Sequence, residues 1–212
     1  MNDKKLDFDK LADTWDEKPQ RIELAKDIAE AIAGEISLRA DMDVLDFGCG
    51  TGLLTLRLQP KVRSVTSVDS SRGMLAVLEG KIARQHLYNI RTLYCDLDAG
   101  DVLTGSYPLI VISMTLHHVK EIAPLFAQFH NVLAPSGHLC VADLDLDGGL
   151  FHEESEGVFH NGFDRAQLRE VFKEAGFDDI HDITAAKVTK PAADGELRTF
   201  SVFLMTGRKS SR

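Results

Sequence analysis

At 212 residues, 44% hydrophobic and 27% charged, the chain has the size and make-up of a single domain with a full core. A formal net charge of −9 opposes a polyanionic partner such as nucleic acid, and no apolar run approaches the ~20 residues a membrane span needs. Cys49, Cys95 and Cys140 are far apart with no C-x-x-C pair, so free thiols are expected instead of a structural zinc, in a reducing cytoplasm.

Phe8, Leu11 and Trp15 recur at i, i+3, i+7 and predict a short N-terminal helix. Pro19 suits the first turn of a second helix, which should run to about residue 38 with Ile22, Ala25, Ala29, Ile32 and Ile36 along its buried stripe. Residues 1–40 are therefore expected to form a helical cap or flap on a domain at 41–212. The apolar run 42–47 reads as a strand that enters Gly48-Cys49-Gly50-Thr51-Gly52, with the helix-compatible run 53–58 at once after it. Strand, tight turn and helix open a βαβ unit. Glycine suits such a turn because it accepts positive φ and lets a ligand approach the backbone.

A second strand is predicted over 61–69, ending at Asp69, then a helix over 72–85 with Met74 on its apolar face. A third strand, 90–95, ends at Asp96-Leu97. Residues 107–114 are apolar throughout, as a parallel strand covered on both faces requires. A helix over 122–133 and a turn at Ala134-Pro135-Ser136-Gly137 lead into a strand at 138–144. Residues 145–163 carry no period and many acids, the profile of a binding loop. Asp164 and Gln167 form a capping box for a helix that Gly176 ends, and strands at 177–188 and 197–206 finish the domain.

Two acids decide what the glycine loop holds. The dinucleotide fingerprint G-x-G-x-x-G would put its third glycine at position 53, which is Leu53. Asp46, just ahead of Gly48, would repel a pyrophosphate but suits an ammonium group near a sulfonium. Asp69 stands about where a ribose-binding acid is expected. A nucleoside with a cationic amino-acid tail satisfies both, and S-adenosylmethionine is that molecule, leaving S-adenosylhomocysteine as product. An NAD-dependent oxidoreductase is disfavoured on the same residues.

The run Asp46 to Gly52, with Val68-Asp69-Ser70-Ser71, Tyr94-Cys95-Asp96-Leu97-Asp98, Leu116-His117-His118-Val119 and Leu133 to Leu139 in order, resembles the class I S-adenosylmethionine-dependent methyltransferases over roughly residues 40–206. The resemblance implies an α/β fold: a Rossmann-like, doubly wound seven-stranded sheet in the order 3-2-1-4-5-7-6, its last strand antiparallel, with helices on both faces. It implies cofactor contacts from Asp46, Gly48, Cys49, Gly50, Thr51, Gly52, Asp69 and Ser70. It further implies Met74 against the adenine, with Asp96 and the Leu97 N–H hydrogen-bonded to it. In an N-terminal flap, Trp15 would cover the methionine end and Arg21 would pair with its carboxylate. Ser113 and Met114 are expected beyond the methyl donor, and the 145–163 loop over the acceptor.

Methyl transfer is an in-line displacement, so the protein mainly holds nucleophile and methyl group in contact. His118 and His160 are the candidates for a base or substrate contact, since imidazole accepts a proton near neutral pH. His117, His118, His152 and His160, with Glu153 or Glu156, are divided between two loops without an i, i+4 pair, so no metal is expected. The expected acceptor is a small molecule, and the expected assembly a monomer or homodimer. A nucleic-acid acceptor would need a basic recognition module, and none is evident. A non-catalytic S-adenosylmethionine-binding partner protein is the alternative.

Overall fold

The computed structural model describes residues 6–152 and 155–210. Its centre is one seven-stranded sheet built from β1 (Asp43–Phe47), β2 (Ser64–Asp69), β3 (Ile90–Tyr94), β4 (Tyr107–Ser113), β5 (Leu133–Leu144), β6 (Phe177–Pro191) and β7 (Leu197–Lys209). The strand order is β3-β2-β1-β4-β5-β7-β6, as the resemblance implies. β1 pairs in parallel with β2 and β4, and β4 with β5, while β7 runs antiparallel to both β5 and β6.

Alternation along the central strands divides the core in two. Leu45, Phe47, Ile110, Ile112, Leu139 and Val141 share a face with Phe126 and Phe129 of α5 (Ile122–Val132) and Phe172 of α6 (Arg165–Glu174). Val44, Leu109, Val111, Cys140 and Ala142 share the other with Ile28 and Ile32 of α2 (Pro19–Glu35) and Leu58 of α3 (Thr55–Leu58). Both layers are needed because a parallel sheet carries no face polar enough for water. All three cysteines are free and buried. Among the described residues no helix is long and apolar enough to cross a membrane.

Several boundaries differ from expectation. The N-terminal helix is one turn, α1 (Phe8–Leu11), followed by 3₁₀ geometry over Ala12–Glu17. α2 stops at Glu35 because Ile36 turns extended, yet Ile36 stays buried. α3 continues only as a 3₁₀ turn, since Pro60 has no N–H to carry an α-helix on. β5 starts at Leu133, and the predicted turn survives as an irregularity, with Ser136 at φ 62 and a register shift against β4. β6 and β7 run past their expected ends because an antiparallel pair satisfies its own hydrogen bonds beyond the sheet edge. α4 (Arg72–Gln85) and α6 begin as predicted. Ser71 caps Met74 N–H, and Asp164 accepts from Ala166 and Gln167 N–H.

Candidate active site

The turn after β1 is fastened to the next strand. Gly48 and Cys49 N–H both donate to the Val68 carbonyl, at 2.8 and 3.0 Å. Asp69, at the end of β2, accepts from Gly50 N–H at 2.7 Å and Ser71 N–H at 2.8 Å. One carboxylate therefore holds the glycine loop on one side and the start of α4 on the other. Glycine is required at Gly48 (φ 69), where a Cβ would lie 2.3 Å from Thr115 Cγ2.

Every cofactor residue expected from the sequence, Gly52 excepted, lines one cleft of about 960 Å³ at the carboxyl ends of the strands. An open α/β sheet binds its ligand in that crevice. Gly52 has a different reason to be glycine: a Cβ there would meet Leu78 Cδ1 at 2.3 Å, so it serves the packing of α4 against the loop. Met74 is buried at the cleft wall, and Ser113 and Met114 lie at the end of β4. Met114 takes φ 51, a strained value for a side-chain-bearing residue.

The acids of the cleft are poorly solvated. Burial raises the Asp46 carboxyl to about 7; a 2.5 Å hydrogen bond from Thr55 Oγ1 only partly offsets this, and nearby Asp69 adds to it. Burial also raises Asp69, against the pull of the Ser71 and Gly50 N–H groups. The Cys49 thiol is pushed up by burial and stays protonated.

The N-terminal segment is tied across this cleft at two points. Asp9 Oδ1 accepts from Ser71 Oγ at 2.5 Å and Gly73 N–H at 2.8 Å. Asp16 accepts from Thr51 Oγ1 at 2.6 Å and pairs with Lys81 at 2.5 Å. Between these ties Trp15 carries the Arg21 guanidinium 3.5 Å above its ring, and Arg21 donates to the Trp15 carbonyl. Phe8, whose ring meets those of Trp15 and His118 edge-on, completes the wall.

At the far end stands a group of histidines. His117 is buried, with Nδ1 2.7 Å from Asp143 Oδ1. Burial pushes the Asp143 carboxyl up, but His117 and the N–H groups of Leu144 and His117 outweigh it and hold it below the usual value. His118 Nδ1 lies 2.7 Å from the Gly157 carbonyl. Burial and neighbouring His117 lower its pKa to about 3. His152 is lowered to about 4, again by burial first and then His117 and Lys190. One nitrogen from each of His117, His118 and His152 lies within 4.8 Å of the others. Two loops that looked separate in sequence meet here.

His160 is not part of this group. Its Nε2–H donates to the Val119 carbonyl at 2.9 Å, its ring packs on Phe163, and it does not line the cleft, so the catalytic expectation for it is withdrawn. It ties the 145–163 loop down, as do the Phe159 and His160 N–H bonds to the His117 carbonyl. Glu153 lies outside the described residues. The sequence named His117 and His152 only within a metal reading that their spacing disfavoured, and Asp143 and Phe8 were not expected as site residues. The available signal was Asp143 at the carboxyl end of β5, beside β4 in a parallel pair.

A family model described as a methyltransferase domain matches residues 44–137. An uncharacterised methyltransferase of Schizosaccharomyces pombe is 28% identical over 164 residues, covering 70% of this chain and 58% of that protein. The malonyl-[acyl-carrier protein] O-methyltransferase of Hahella chejuensis is 29% identical over 142 residues, covering 65% and 48% respectively. The chain thus spans about half the length of these curated relatives. The YcgJ protein of Bacillus subtilis has the same fold, with a TM-score of 0.73 at 16% identity, over 86% of this chain and 98% of its own. Sheet order, glycine loop and family match agree: residues 44–137 match a methyltransferase domain, and the chain has the fold of its solved neighbours.

Proposed function

We propose that this chain transfers the methyl group of S-adenosylmethionine to a small-molecule acceptor held at the histidine end of the cleft. One observation carries the reading: a single cavity joins the glycine loop, Asp69 and Asp96 at one end to His117, His118 and His152 at the other. Asp69 binds the ribose hydroxyls through the lone pairs its two backbone bonds leave over. Asp96 and the Leu97 N–H take the adenine edge, with Met74 against its face. Asp46 and Asp69 are costly to ionise without a cation, and the ammonium and sulfonium of the cofactor supply positive charge where it is short. Trp15 and Arg21 close the methionine end, Arg21 turning from its own ring stack to the carboxylate.

At the other end His118 contacts the acceptor, and the 145–163 loop shapes its pocket. Catalysis then consists of bringing acceptor and methyl group into line inside a closed, water-poor space. The net charge of −9 favours an acceptor that is not a polyanion. The test is a metabolite extract incubated with the chain and methyl-labelled S-adenosylmethionine, the label then being located. Label in a low-mass compound supports the proposal. Label in nucleic acid, or none despite tight S-adenosylhomocysteine binding, contradicts it; the second result would fit a non-catalytic binding protein.

A further inference from the structure

We propose that His117, His118 and His152 bind one divalent transition-metal ion, zinc being the type, at the acceptor end of the cleft. The site is argued from the imidazoles themselves; only its use in methyl transfer rests on the function proposed above.

The tautomers are set by the partners. A carbonyl can only accept, so His118 Nδ1 carries the hydrogen given to Gly157, and its lone pair sits on Nε2. His117 Nδ1 is likewise turned to the Asp143 carboxylate, which leaves its Nε2 as the ligand atom. A carboxylate behind a histidine is the support that metal-ligating imidazoles commonly have, fixing ring orientation and raising basicity. His152 Nε2 is buried and, among the described residues, has no hydrogen-bond partner. A buried nitrogen without a partner calls for an explanation, and a ligand at the centre of the group provides one.

The distances are compatible with closure. Tetrahedral coordination at a zinc–nitrogen bond of ~2.0–2.1 Å sets nitrogens about 3.3 Å apart. From 4.8 Å, each ring has to move inward by less than about 1 Å, and His152 lies on the irregular loop, where such a shift meets least resistance. The buried Asp143 carboxylate supplies one negative charge beside the ion. Lys190, the nearby cation, is turned to the Phe151 carbonyl and ring. Three imidazoles suit zinc, copper, iron or nickel, and leave a fourth position open toward the cleft that all three line.

That position suits an acceptor with a hydroxyl or thiol. Coordination lowers its pKa, and the proton leaves to solvent water. The oxygen or sulfur lone pair then forms a bond to the methyl carbon as the carbon–sulfonium bond breaks. The electron pair of that bond goes to sulfur, giving neutral S-adenosylhomocysteine. No oxidant or further reactant is needed.

The experiment uses the full chain stripped with a chelator and titrated with Zn²⁺ by calorimetry, and with Co²⁺ by visible absorption. The expected result is one equivalent bound, with the Co²⁺ spectrum of a four-coordinate site of three nitrogens and one water. His152→Ala should weaken binding at least tenfold, and Asp143→Asn by about 10–100-fold. His152→Ala is the decisive variant if Asp143→Asn fails to fold. No metal bound, or the same affinity in His152→Ala, overturns the site. S-adenosylhomocysteine is titrated into the same preparation. If it binds while Zn²⁺ does not, the metal site falls and the cofactor reading stands; the reverse pattern upholds the metal site and removes the cofactor reading.

Discussion

His117 and Asp143 meet at 2.7 Å with their side chains almost wholly withdrawn from solvent, 26 residues apart in the chain. The contact joins the segment after β4 to the end of β5. Asp143 also accepts from the His117 and Leu144 N–H groups, so the carboxylate is satisfied by backbone as well as by the ring. Removing it leaves several donors without a partner in the interior. Asp143→Ala should therefore lower stability by about 3 kcal/mol. Asp143→Asn, which can still accept, should cost less. Urea unfolding midpoints check this, and equal midpoints for wild type and Asp143→Ala would contradict it.

Asp69 holds two backbone N–H groups that belong to opposite sides of the cleft. Asp69→Ala should reduce affinity for S-adenosylhomocysteine by more than tenfold, with a stability loss of about 1–3 kcal/mol from the freed donors. Calorimetric titration separates the two effects, because the variant can be studied below its unfolding midpoint. Unchanged affinity would exclude the ribose role.

Asp46 makes stability depend on pH in an unusual direction. Its folded pKa of about 7 lies above the ordinary 3.8, so between these values the folded chain holds a proton the unfolded chain has released. The contribution of this group to stability is therefore greatest below pH 4, falls as pH rises to 7, and is constant beyond. The full span is about 4 kcal/mol at most. Asp69 is raised as well and acts with the same sign. Asp46→Asn should flatten the fall measured by urea unfolding from pH 4.5 to 8. A cationic ligand favours the ionised form, so affinity for S-adenosylmethionine should rise between pH 6 and 8 in wild type and much less in Asp46→Asn.

Gly157 joins the acceptor loop to the N-terminal segment. It takes φ 70, and a Cβ would lie 2.4 Å from Leu6 N. Gly157→Ala should push the two apart at a cost of about 1–3 kcal/mol. Limited proteolysis should then cut within residues 6–17 faster, and S-adenosylhomocysteine should bind several-fold more weakly as Trp15 and Arg21 lose their seat. Wild-type cleavage and affinity would show that the segment does not close the cleft.

The strand and helix periods, the Asp46 to Gly52 turn and the acids Asp69 and Asp96 were readable in the chain itself. Each depends on neighbours within one or two elements, and spacing along the backbone determines which side chains share a face or end a strand. The resemblance carried by those residues extended the reading to sheet order. Gly52 does not line the cleft, and a glycine that admits a ligand and one that admits Leu78 look alike in sequence. His160 was misassigned because the Val119 carbonyl that holds it is 41 residues away.

Sequence alone determined the βαβ order, the glycine-loop end of the cleft and the two-sided burial of the sheet, since local periodicity and loop chemistry specify them. Only the tertiary structure decided which histidines gather, and on what support. His117, His118 and His152 come together because β4 and β5 lie side by side in parallel, and because the loop after β5 folds back to hydrogen-bond with the His117 carbonyl. Such contacts depend on how the elements pack, and no period along the chain records that.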